Sequence, residues 1–412
     1  MTTLPADRAR PSHAAEPGTT AALLALGAAG LCTFLNLYAT QPLLPLLEVV
    51  FGVTKAQAAW TVSAPTIAVA LGSPFVGALA DRVGRRRLMV TSLLVLALLT
   101  ALAATSRSAL QLVAWRFLQG LAVPGVYAVS LAYIGEAWSG GGVGRAMAAL
   151  ITGNVLGGFA GRFLSGIVAD AAGWRTAFLV LGVCTLVGAV AAARWLPAER
   201  ARARIGTHPV RALQALLSRL DGRLAATYVV GFNVLFTQVA LFTYVTFHLV
   251  APPYRLTVSQ VSSLFVVYLV GAVVTPIAGR WIDRVGSRAV ISGAFAVATA
   301  GAALTLAAPL WVVIVGLALS STAVFVAQSA STSFLQAAAP DDVRSTASGV
   351  YVSCYYVGGS VGGVLPAVAW HLAGWSGCVA LVIAVQLLTI ALALRYWRSR
   401  PRSRGLPQLP AV

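Results

Sequence analysis

Long apolar stretches separated by short polar turns run through the whole chain. A helix needs about 20 mostly apolar residues to cross the hydrocarbon core of a bilayer. Stretches of this kind predict twelve transmembrane helices in an all-α polytopic membrane protein. Their approximate limits are 21–46, 57–80, 88–105, 109–134, 145–170, 174–196, 223–250, 258–282, 288–308, 310–337, 345–371 and 374–396.

The longest connector, residues 197–222, divides the helices into two bundles of six, residues 21–196 and 223–397. Within the connector one helical face is apolar and the opposite face is polar, which predicts a short helix lying on the membrane surface. The apolar face carries Val210, Leu213, Leu216, Leu217 and Leu220. Residues 1–20 are expected to be a disordered cytoplasmic tail and residues 398–412 a basic cytoplasmic tail.

The composition excludes a soluble enzyme. Of the 412 residues, 58% are hydrophobic and only 10% are charged, whereas a soluble domain carries about 25% charged residues. Neither a cluster of catalytic side chains nor a metal-binding pattern is evident, so we predict no enzymatic activity, no metal and no cofactor. The four cysteines lie in or at the ends of apolar stretches, where they are expected to serve in packing.

The net charge of +18 raises the question of nucleic acid binding. The distribution of the basic residues argues against it. If the N-terminus is cytoplasmic, 23 of the 29 Lys and Arg residues fall on the cytoplasmic side and only four in the outer loops. Such a bias sets the orientation of membrane proteins. It predicts that both termini are cytoplasmic and that nucleic acid is not a partner.

Two six-helix bundles of similar sequence are indicated by an internal repeat. The segment Pro74-x-x-Gly77-x-x-x-Asp81-Arg82-Val83-Gly84-x-Arg86 recurs 202 residues later as Pro276-x-x-Gly279-x-x-x-Asp283-Arg284-Val285-Gly286-x-Arg288. A weaker echo relates Ala172-Gly173-Trp174 to Ala373-Gly374-Trp375 at an offset of 201. Six helices return the chain to the same side, so these are parallel repeats, which enclose a site reached alternately from the two sides.

Three segments resemble a known family. Residues 77–87, Gly-Ala-Leu-Ala-Asp-Arg-Val-Gly-Arg-Arg-Arg, are similar to the signature loop of the major facilitator superfamily. The segment Arg116-Phe117-Leu118-Gln119-Gly120 resembles its Arg-x-x-Gln-Gly motif of proton-coupled antiporters, and residues 38–45 resemble the YnfM-type branch of efflux permeases.

The resemblance implies a twelve-helix secondary transporter of two pseudo-symmetric bundles working by rocker-switch alternating access. It further implies proton-coupled efflux of small amphipathic compounds or drugs across the inner (plasma) membrane. The proton gradient would be the energy source. The expected partners are a small-molecule substrate and the lipid bilayer, and the protein is expected to be a monomer.

The same resemblance assigns a conformational latch to the repeated turn. Asp81 would meet the start of the eleventh helix, and Arg85 would pair with Glu136. The alternative is an ordinary charged cytoplasmic turn. Because Ser287 replaces Arg85 in the second copy, its latch is expected to be weaker. The latch residues are Gly77, Asp81, Arg82, Gly84, Arg85, Arg86, Glu136, Gly279, Asp283, Arg284, Gly286 and Arg288.

Two arginines, Arg116 and Arg162, are not explained by topology. Each is placed about seven or eight residues from the outer end of its helix, and arginine inside a membrane helix usually faces a cavity or partner. They are predicted to line the substrate or proton pathway, with Gln119 one turn after Arg116. The alternative is an internal strut bonded to backbone carbonyls. Arg162 also stands where exporters of the family carry proline in the fifth helix.

Other polar residues at mid-helix depth complete the predicted pathway. They are Asn36, Tyr38, Gln41, Asn154, Asn233, Gln328, Tyr351 and Tyr355, with Thr40, Gln238, Tyr268 and Tyr356 at similar depth. Such residues also form ordinary interhelical hydrogen bonds. No acidic residue lies at this depth, so the sequence identifies no proton carrier. A second functional hypothesis is therefore a carrier of a small organic anion or sugar-like metabolite that uses Arg116 and Arg162.

Overall fold

The computed structural model describes residues 19–138, 142–197, 214, 216–340 and 343–397. Within these ranges every regular element is a helix. Residues 1–18 of the predicted N-terminal tail and the predicted basic tail 398–412 lie outside the described residues. So does most of the central connector, including Val210 and Leu213 of the predicted surface helix.

Twelve membrane-length segments, α1–α12, follow one another in the order the sequence predicts. The first eleven are α1 (Thr20–Phe51, interrupted at residues 38–43), α2 (Lys55–Val83), α3 (Arg85–Ala103), α4 (Ala109–Ala137), α5 (Val143–Ala172), α6 (Trp174–Trp195), α7 (Gly222–Val250), α8 (Val258–Ser263, Leu264–Val266 and Val267–Val285 in succession), α9 (Ser287–Leu304), α10 (Leu310–Ala338) and α11 (Arg344–Val364). The remaining helix, Pro366–Tyr396, has non-helical angles at Ala373 and Gly374. Its first turns therefore continue α11, and residues 375–396 form α12.

The predicted spans are found, with boundaries that differ by a few residues. Among the described residues, eleven segments are long and apolar enough to cross a membrane by themselves. The exception is α11, whose 21 residues include five glycines, which lower its hydropathy. The predicted α1 differs more, because its helix stops at Leu37 and resumes through a short 3₁₀ turn, Gln41–Leu43.

The two halves, α1–α6 and α7–α12, repeat the same packing. In the first half α1 packs on α5, α2 and α3 on α4, and α6 on α3. In the second half α7 packs on α11, α8 and α9 on α10, and α12 on α9. Each pair in one half has its counterpart six helices later, as the parallel repeats predict.

Close approach of α1 and α5 depends on small residues. A Cβ added to Gly153, Gly157 or Gly161 would overlap a backbone carbonyl of α1. A Cβ on Gly358 would likewise overlap the carbonyl of Phe232 in α7. Small residues of this kind let membrane helices pack backbone to backbone. The glycines that the sequence places in the fifth and eleventh helices therefore hold equivalent positions in the two halves.

The halves meet along two symmetric pairs, α2 with α11 and α5 with the start of α8. We call the end of the bundle that carries Gly52 the top and the end that carries Gly84 and Gly286 the base. Near the top, Ser259 donates a hydrogen bond to Asp170 at 2.5 Å. Deeper, Ser63 and Ser360 each donate to the other's carbonyl, at 2.8 and 3.1 Å. These contacts hold the upper parts of the halves together.

Candidate substrate site between the two halves

The interruption of α1 creates the first part of the site. The helix ends at Leu37, so its last carbonyls lack the regular helical partners four residues on; the Asn36 carbonyl accepts a long bond from the N–H of Ala39, at 3.4 Å, within the following turn. Arg116 of α4 donates to both, from Nη1 to Asn36 at 2.7 Å and from Nη2 to Leu37. Its Nε also donates to the carbonyl of Thr61 in α2, at 3.0 Å. Arg116 therefore joins α4 to α2 and to the interrupted end of α1.

Arg116 is enclosed by a satisfied polar network. Its side chain is only 1% exposed, and Nη1 also donates to Gln119 Oε1 at 2.6 Å. Asn36 donates to Thr185 Oγ1 of α6 and accepts from Thr100 Oγ1 of α3, both at 2.8 Å. This is the geometry of the internal strut that the sequence leaves open as the alternative, with every acceptor supplied by the protein. A role of Arg116, Gln119 and Asn36 in the pathway stays a prediction.

Arg162 of α5 has a different environment, although it is 3% exposed and thus also buried. Its Nε donates to Gln41 Oε1 at 2.7 Å, and Nη1 donates to the carbonyl of Gly158. Three aromatic rings surround the guanidinium carbon, with centroids at 4.6, 4.7 and 5.2 Å: Tyr38, Tyr268 and Phe265. Tyr38 belongs to the first half, whereas Phe265 and Tyr268 belong to α8. We call Arg162 and these three residues the arginine cluster.

The cluster lies at the junction of the halves. Gln41, which accepts from Arg162, donates from Nε2 to Thr243 Oγ1 of α7 at 3.1 Å. A continuous path thus runs from α5 through the interrupted part of α1 to the second half. Because α5 extends to Ala172, Arg162 is ten residues from its top end, about 15 Å at 1.5 Å per residue. The sequence places it two or three residues closer to that end.

The charge of Arg162 is not compensated by a carboxylate among the described residues. The ion pairs found there are Lys55–Glu48, Arg85–Asp81 and Arg85–Glu136. The hydrogen-bond acceptors of Arg162 are a neutral amide and a backbone carbonyl. Aromatic faces stabilise a guanidinium through cation–π attraction, but they leave its positive charge available to a bound anion.

The other predicted pathway residues lie outside the arginine cluster. Asn154 faces α1 at Gly30, and Asn233 donates to Thr389 Oγ1 of α12 at 2.8 Å. Tyr351 donates to Ser331 Oγ at 3.0 Å, and its ring stacks on Tyr355. Gln328, in α10, is half-buried. The structure thus brings Tyr38, Gln41 and Arg162 together. Asn154, Asn233 and Gln328 lie elsewhere, whereas Tyr351 and Tyr355 stack on each other, with Tyr355 near Tyr38.

The repeated turns at the base share one geometry. Gly84 and Gly286 adopt φ angles of +94° and +83°. Glycine reaches positive φ readily because it has no Cβ, whereas other residues rarely do. Arg86 donates to the carbonyl of Ala193 and Arg288 to the carbonyl of Leu394, both at 2.6 Å. Each arginine therefore ties its turn to the last helix of its own half.

The first turn carries the pair that the resemblance implies, since Arg85 Nη1 lies 2.6 Å from Glu136 Oε1. Both residues belong to the first half, so this pair fixes the turn against α4. Among the described residues Asp283 of the second copy forms no ion pair, in line with the replacement of Arg85 by Ser287. The latch function stays a prediction.

The sequence alone does not assemble the α8 side of the cluster. In the sequence, Phe265 is one of many aromatic residues, and nothing distinguishes Tyr268 and Gln238 from other scattered polar residues. A local similarity at an offset of 197, Asn36-x-x-x-Thr40-Gln41 against Asn233-x-x-x-Thr237-Gln238, could have drawn attention to Gln238.

A sequence profile described as Major Facilitator Superfamily matches residues 26–363 and 227–411. The chain belongs to this superfamily. It is 36% identical over 376 residues to the inner membrane transport protein YnfM of Escherichia coli (strain K12), covering 91% of this chain and 90% of that protein. It is 31% identical over 371 residues to the uncharacterized MFS-type transporter YybF of Bacillus subtilis (strain 168), covering 89% and 91%. The predicted resemblance to the superfamily and to its YnfM-type branch is confirmed.

Solved structures show the same fold at low sequence identity. The nucleoside transporter NupG superposes with a TM-score of 0.76 at 12% identity, covering 91% of this chain and all of that one. The human organic anion transporter MFSD10 superposes with a TM-score of 0.69 at 20% identity, covering 92% and 100%. The predicted all-α, two-bundle superfamily fold is therefore confirmed, and the chain is a multi-pass membrane transporter.

Proposed function

We propose that this protein is a secondary transporter that moves a small amphipathic organic anion by alternating access. Arg162 carries the proposal: it is buried, is shared by the two halves, and has no carboxylate partner among the described residues. Of the two functions that the sequence leaves open, this geometry favours the carrier of an organic anion.

The chemistry of the cluster suits a ligand with one charged and one apolar part. A buried cation without a counter-ion is unfavourable, so an anion that enters the site supplies the missing charge. Tyr38, Phe265 and Tyr268 offer ring faces that an apolar group can contact. Predominantly apolar walls with a few fixed polar groups are typical of small-molecule sites.

The position of the cluster suits alternating access. Its residues come from α1 and α5 of one half and α8 of the other, so relative movement of the halves changes the site. For the top to open, the contacts of Asp170 with Ser259 and of Ser63 with Ser360 must break. A ligand can shift such an equilibrium only by binding one state more tightly than the other.

The related proteins are compatible with this function without establishing it. One structural neighbour is described as an organic anion transporter and another as a nucleoside transporter. At these identities they support the fold, while the substrate class rests on Arg162. The Escherichia coli relative is described as an inner membrane protein, and we propose the same membrane for this chain, as a monomer with both termini cytoplasmic and no cofactor.

The test is entrance counterflow in proteoliposomes, which needs no imposed gradient. The probes are labelled phenylacetate and its uncharged analogue 2-phenylethanol, compared in wild type, Arg162→Gln and Arg162→Lys. Opposite charges 4 Å apart at an effective dielectric constant of about 20 attract by about 4 kcal/mol, so Arg162→Gln should weaken phenylacetate binding by roughly 10² to 10³-fold. Arg162→Lys keeps the charge and should retain part of the activity.

Arg175→Gln is the matched control, because Arg175 lies at the top of α6 beside Trp174, away from the cluster. It should leave counterflow unchanged. Saturable counterflow of phenylacetate that survives Arg162→Gln would refute the proposed site. Failure of the wild type to move any carboxylate of a wider panel would refute the substrate class.

A second candidate is proton-coupled efflux of uncharged or cationic amphipathic compounds. It is favoured by the Arg116-Phe117-Leu118-Gln119-Gly120 segment, which is similar to the antiporter motif, and by the aromatic lining. In inverted vesicles holding a pH gradient, such compounds should collapse the gradient when added. Accumulation of a carboxylate without any change in the gradient would argue against this candidate.

A further inference from the structure

The segment Asn36-x-x-x-Thr40-Gln41 of α1 has a counterpart in sequence in α7, Asn233-x-x-x-Thr237-Gln238. The helix contacts relate the two halves at an offset of 201, so Gln238 lies one helical turn nearer the base than the position of Gln41. Gln41 is fully engaged by the protein. Its Oε1 accepts from Arg162 at 2.7 Å, and its Nε2 donates to Thr243 at 3.1 Å. The two residues therefore offer a comparison of the same side chain in corresponding helices of the two halves.

Gln238 has neither of these contacts. It is 7% exposed, yet both its Nε2 and its Oε1 are buried without a hydrogen-bond partner among the residues that the structure describes. In the same part of the chain the hydroxyls of Thr237 and Tyr268 are buried and unpartnered as well, and Tyr268 is 6% exposed. Buried polar groups are nearly always hydrogen-bonded, so each exception requires an explanation. Here several exceptions occur together, on α7 and α8.

These unpartnered groups adjoin the arginine cluster. The ring centroid of Tyr268 is 4.7 Å from the guanidinium carbon of Arg162. Gln238 is a polar neighbour of the Tyr268 hydroxyl, but the two groups do not reach the distance and angle of an ordinary hydrogen bond. Phe242 and Phe325 flank the same tyrosine, with ring centroids at 4.7 and 5.7 Å. One location therefore combines the cation of Arg162, the unpartnered amide of Gln238 and the unpartnered hydroxyl of Tyr268. The rings of Phe242 and Phe325 form an apolar wall beside them.

We infer that Gln238 and Tyr268 complete the anion site proposed above and select a hydroxy acid with an apolar body. The inference rests on the proposed function and adds the substrate class. Arg162 would bind the carboxylate. The free carbonyl of Gln238 requires a donor on the ligand, and its free N–H requires an acceptor. A hydroxyl group next to the carboxylate supplies both. An ammonium group would supply a donor too, but it would meet the uncompensated charge of Arg162.

The experiment compares hydroxy acids with matched acids that lack only the hydroxyl. The labelled probes are lactate with propionate, mandelate with phenylacetate, and 3-phenyllactate with 3-phenylpropionate, measured by counterflow in proteoliposomes. A site built to bind a hydroxyl discriminates against the analogue without it, because its own polar groups stay unpaired. In wild type we expect at least one hydroxy acid to be preferred over its partner by about tenfold or more.

Gln238→Met and Tyr268→Phe keep the side-chain bulk and remove hydrogen-bonding atoms. In each, the preference should fall to within about threefold, because the ligand hydroxyl loses its partners in the site. Gln386→Met is the matched control. Gln386 is a buried glutamine of the same half that accepts from Thr299 at 2.9 Å, between α9 and α12. This variant should keep the wild-type preference.

Two outcomes would overturn the inference: a wild type without any hydroxyl preference, or an unchanged preference in both Gln238→Met and Tyr268→Phe. In either case, deoxy acids that still depend on Arg162 would leave the proposed function standing. If neither acid of any pair is moved by the wild type, the proposed function and this inference fail together.

Discussion

Replacement of Arg116 by alanine separates the two roles that the sequence allows for this residue. In the structure the guanidinium donates four hydrogen bonds, to the carbonyls of Asn36, Leu37 and Thr61 and to Gln119. Alanine removes all four donors. It also leaves three backbone carbonyls buried between α1, α2 and α4 without these partners.

The expected loss follows from these contacts. Three of these bonds join α4 to other helices, whereas the bond to Gln119 lies within α4. Interhelical hydrogen bonds in membranes are worth about 0.6 kcal/mol on average and about 1.7 kcal/mol at most, so the three amount to about 2 to 5 kcal/mol. With about 2 °C per kcal/mol for a large chain, Arg116→Ala should melt about 4 to 10 °C below the wild type. Arg116→Lys keeps the charge but not the planar fork of donors, so it should fall in between.

The assay can use the protein's own thiols. Cys32 and Cys378 are free and buried, in different halves, so a dye that becomes fluorescent on reaction with thiols reports the unfolding of both. Arg107→Ala, at an exposed position before α4, is the control and should melt as the wild type does. If Arg116→Ala loses transport but melts within about 2 °C of the wild type, the strut is wrong, and Arg116 acts on substrate or protons directly.

Three further substitutions test other contacts. Gly157→Ala should lower the melting temperature in the same thiol assay, because its Cβ would overlap a carbonyl of α1, whereas Gly158→Ala should not; equal behaviour would contradict the packing argument. Glu136→Gln removes the charge that lies 2.6 Å from Arg85. Since both side chains are partly exposed, the free energy of unfolding should change by less than about 1 kcal/mol, while counterflow should slow. Unchanged counterflow would show that the pair takes no part in the transport cycle. Asp170→Ala should speed hydrogen–deuterium exchange in the first turn of α8, and unaltered exchange would show that this contact does not hold the top closed.

The fold was predictable because membrane insertion acts on whole segments. A helix of about 20 apolar residues is required wherever the chain crosses the bilayer, so the twelve spans could be read from hydropathy even though α11 is weakly apolar. The repeat of Asp81-Arg82-Val83-Gly84 as Asp283-Arg284-Val285-Gly286 then indicated two equivalent halves. Mean hydropathy does not show the break in α1. The signals that mark it are Pro42, which lacks the N–H that would continue the helix, and the neighbouring polar residues Thr40 and Gln41.

The site was predictable only as far as single residues allow. Both arginines stand out because topology does not explain them, yet their environments differ through contacts that lie far apart in sequence. Arg116 meets the last carbonyls of α1, which the end of the helix at Leu37 makes available, and the Thr61 carbonyl of α2, whose helical donor would be the N–H that Pro65 lacks. Arg162 meets rings of α8 whose positions depend on how the two halves pack.

The break in α1 also relates the two arginines to each other. Arg116 holds the last carbonyls before the break, and Arg162 holds Gln41 just after it. Gln41 in turn contacts Thr243 in the other half. The strut therefore fixes one side of the break, while the residue on the other side connects the uncompensated cation to the second half. Arg116 thus provides a rigid support next to Gln41, which contacts both halves. A binding site needs this arrangement if a bound ligand is to change how the two halves pack.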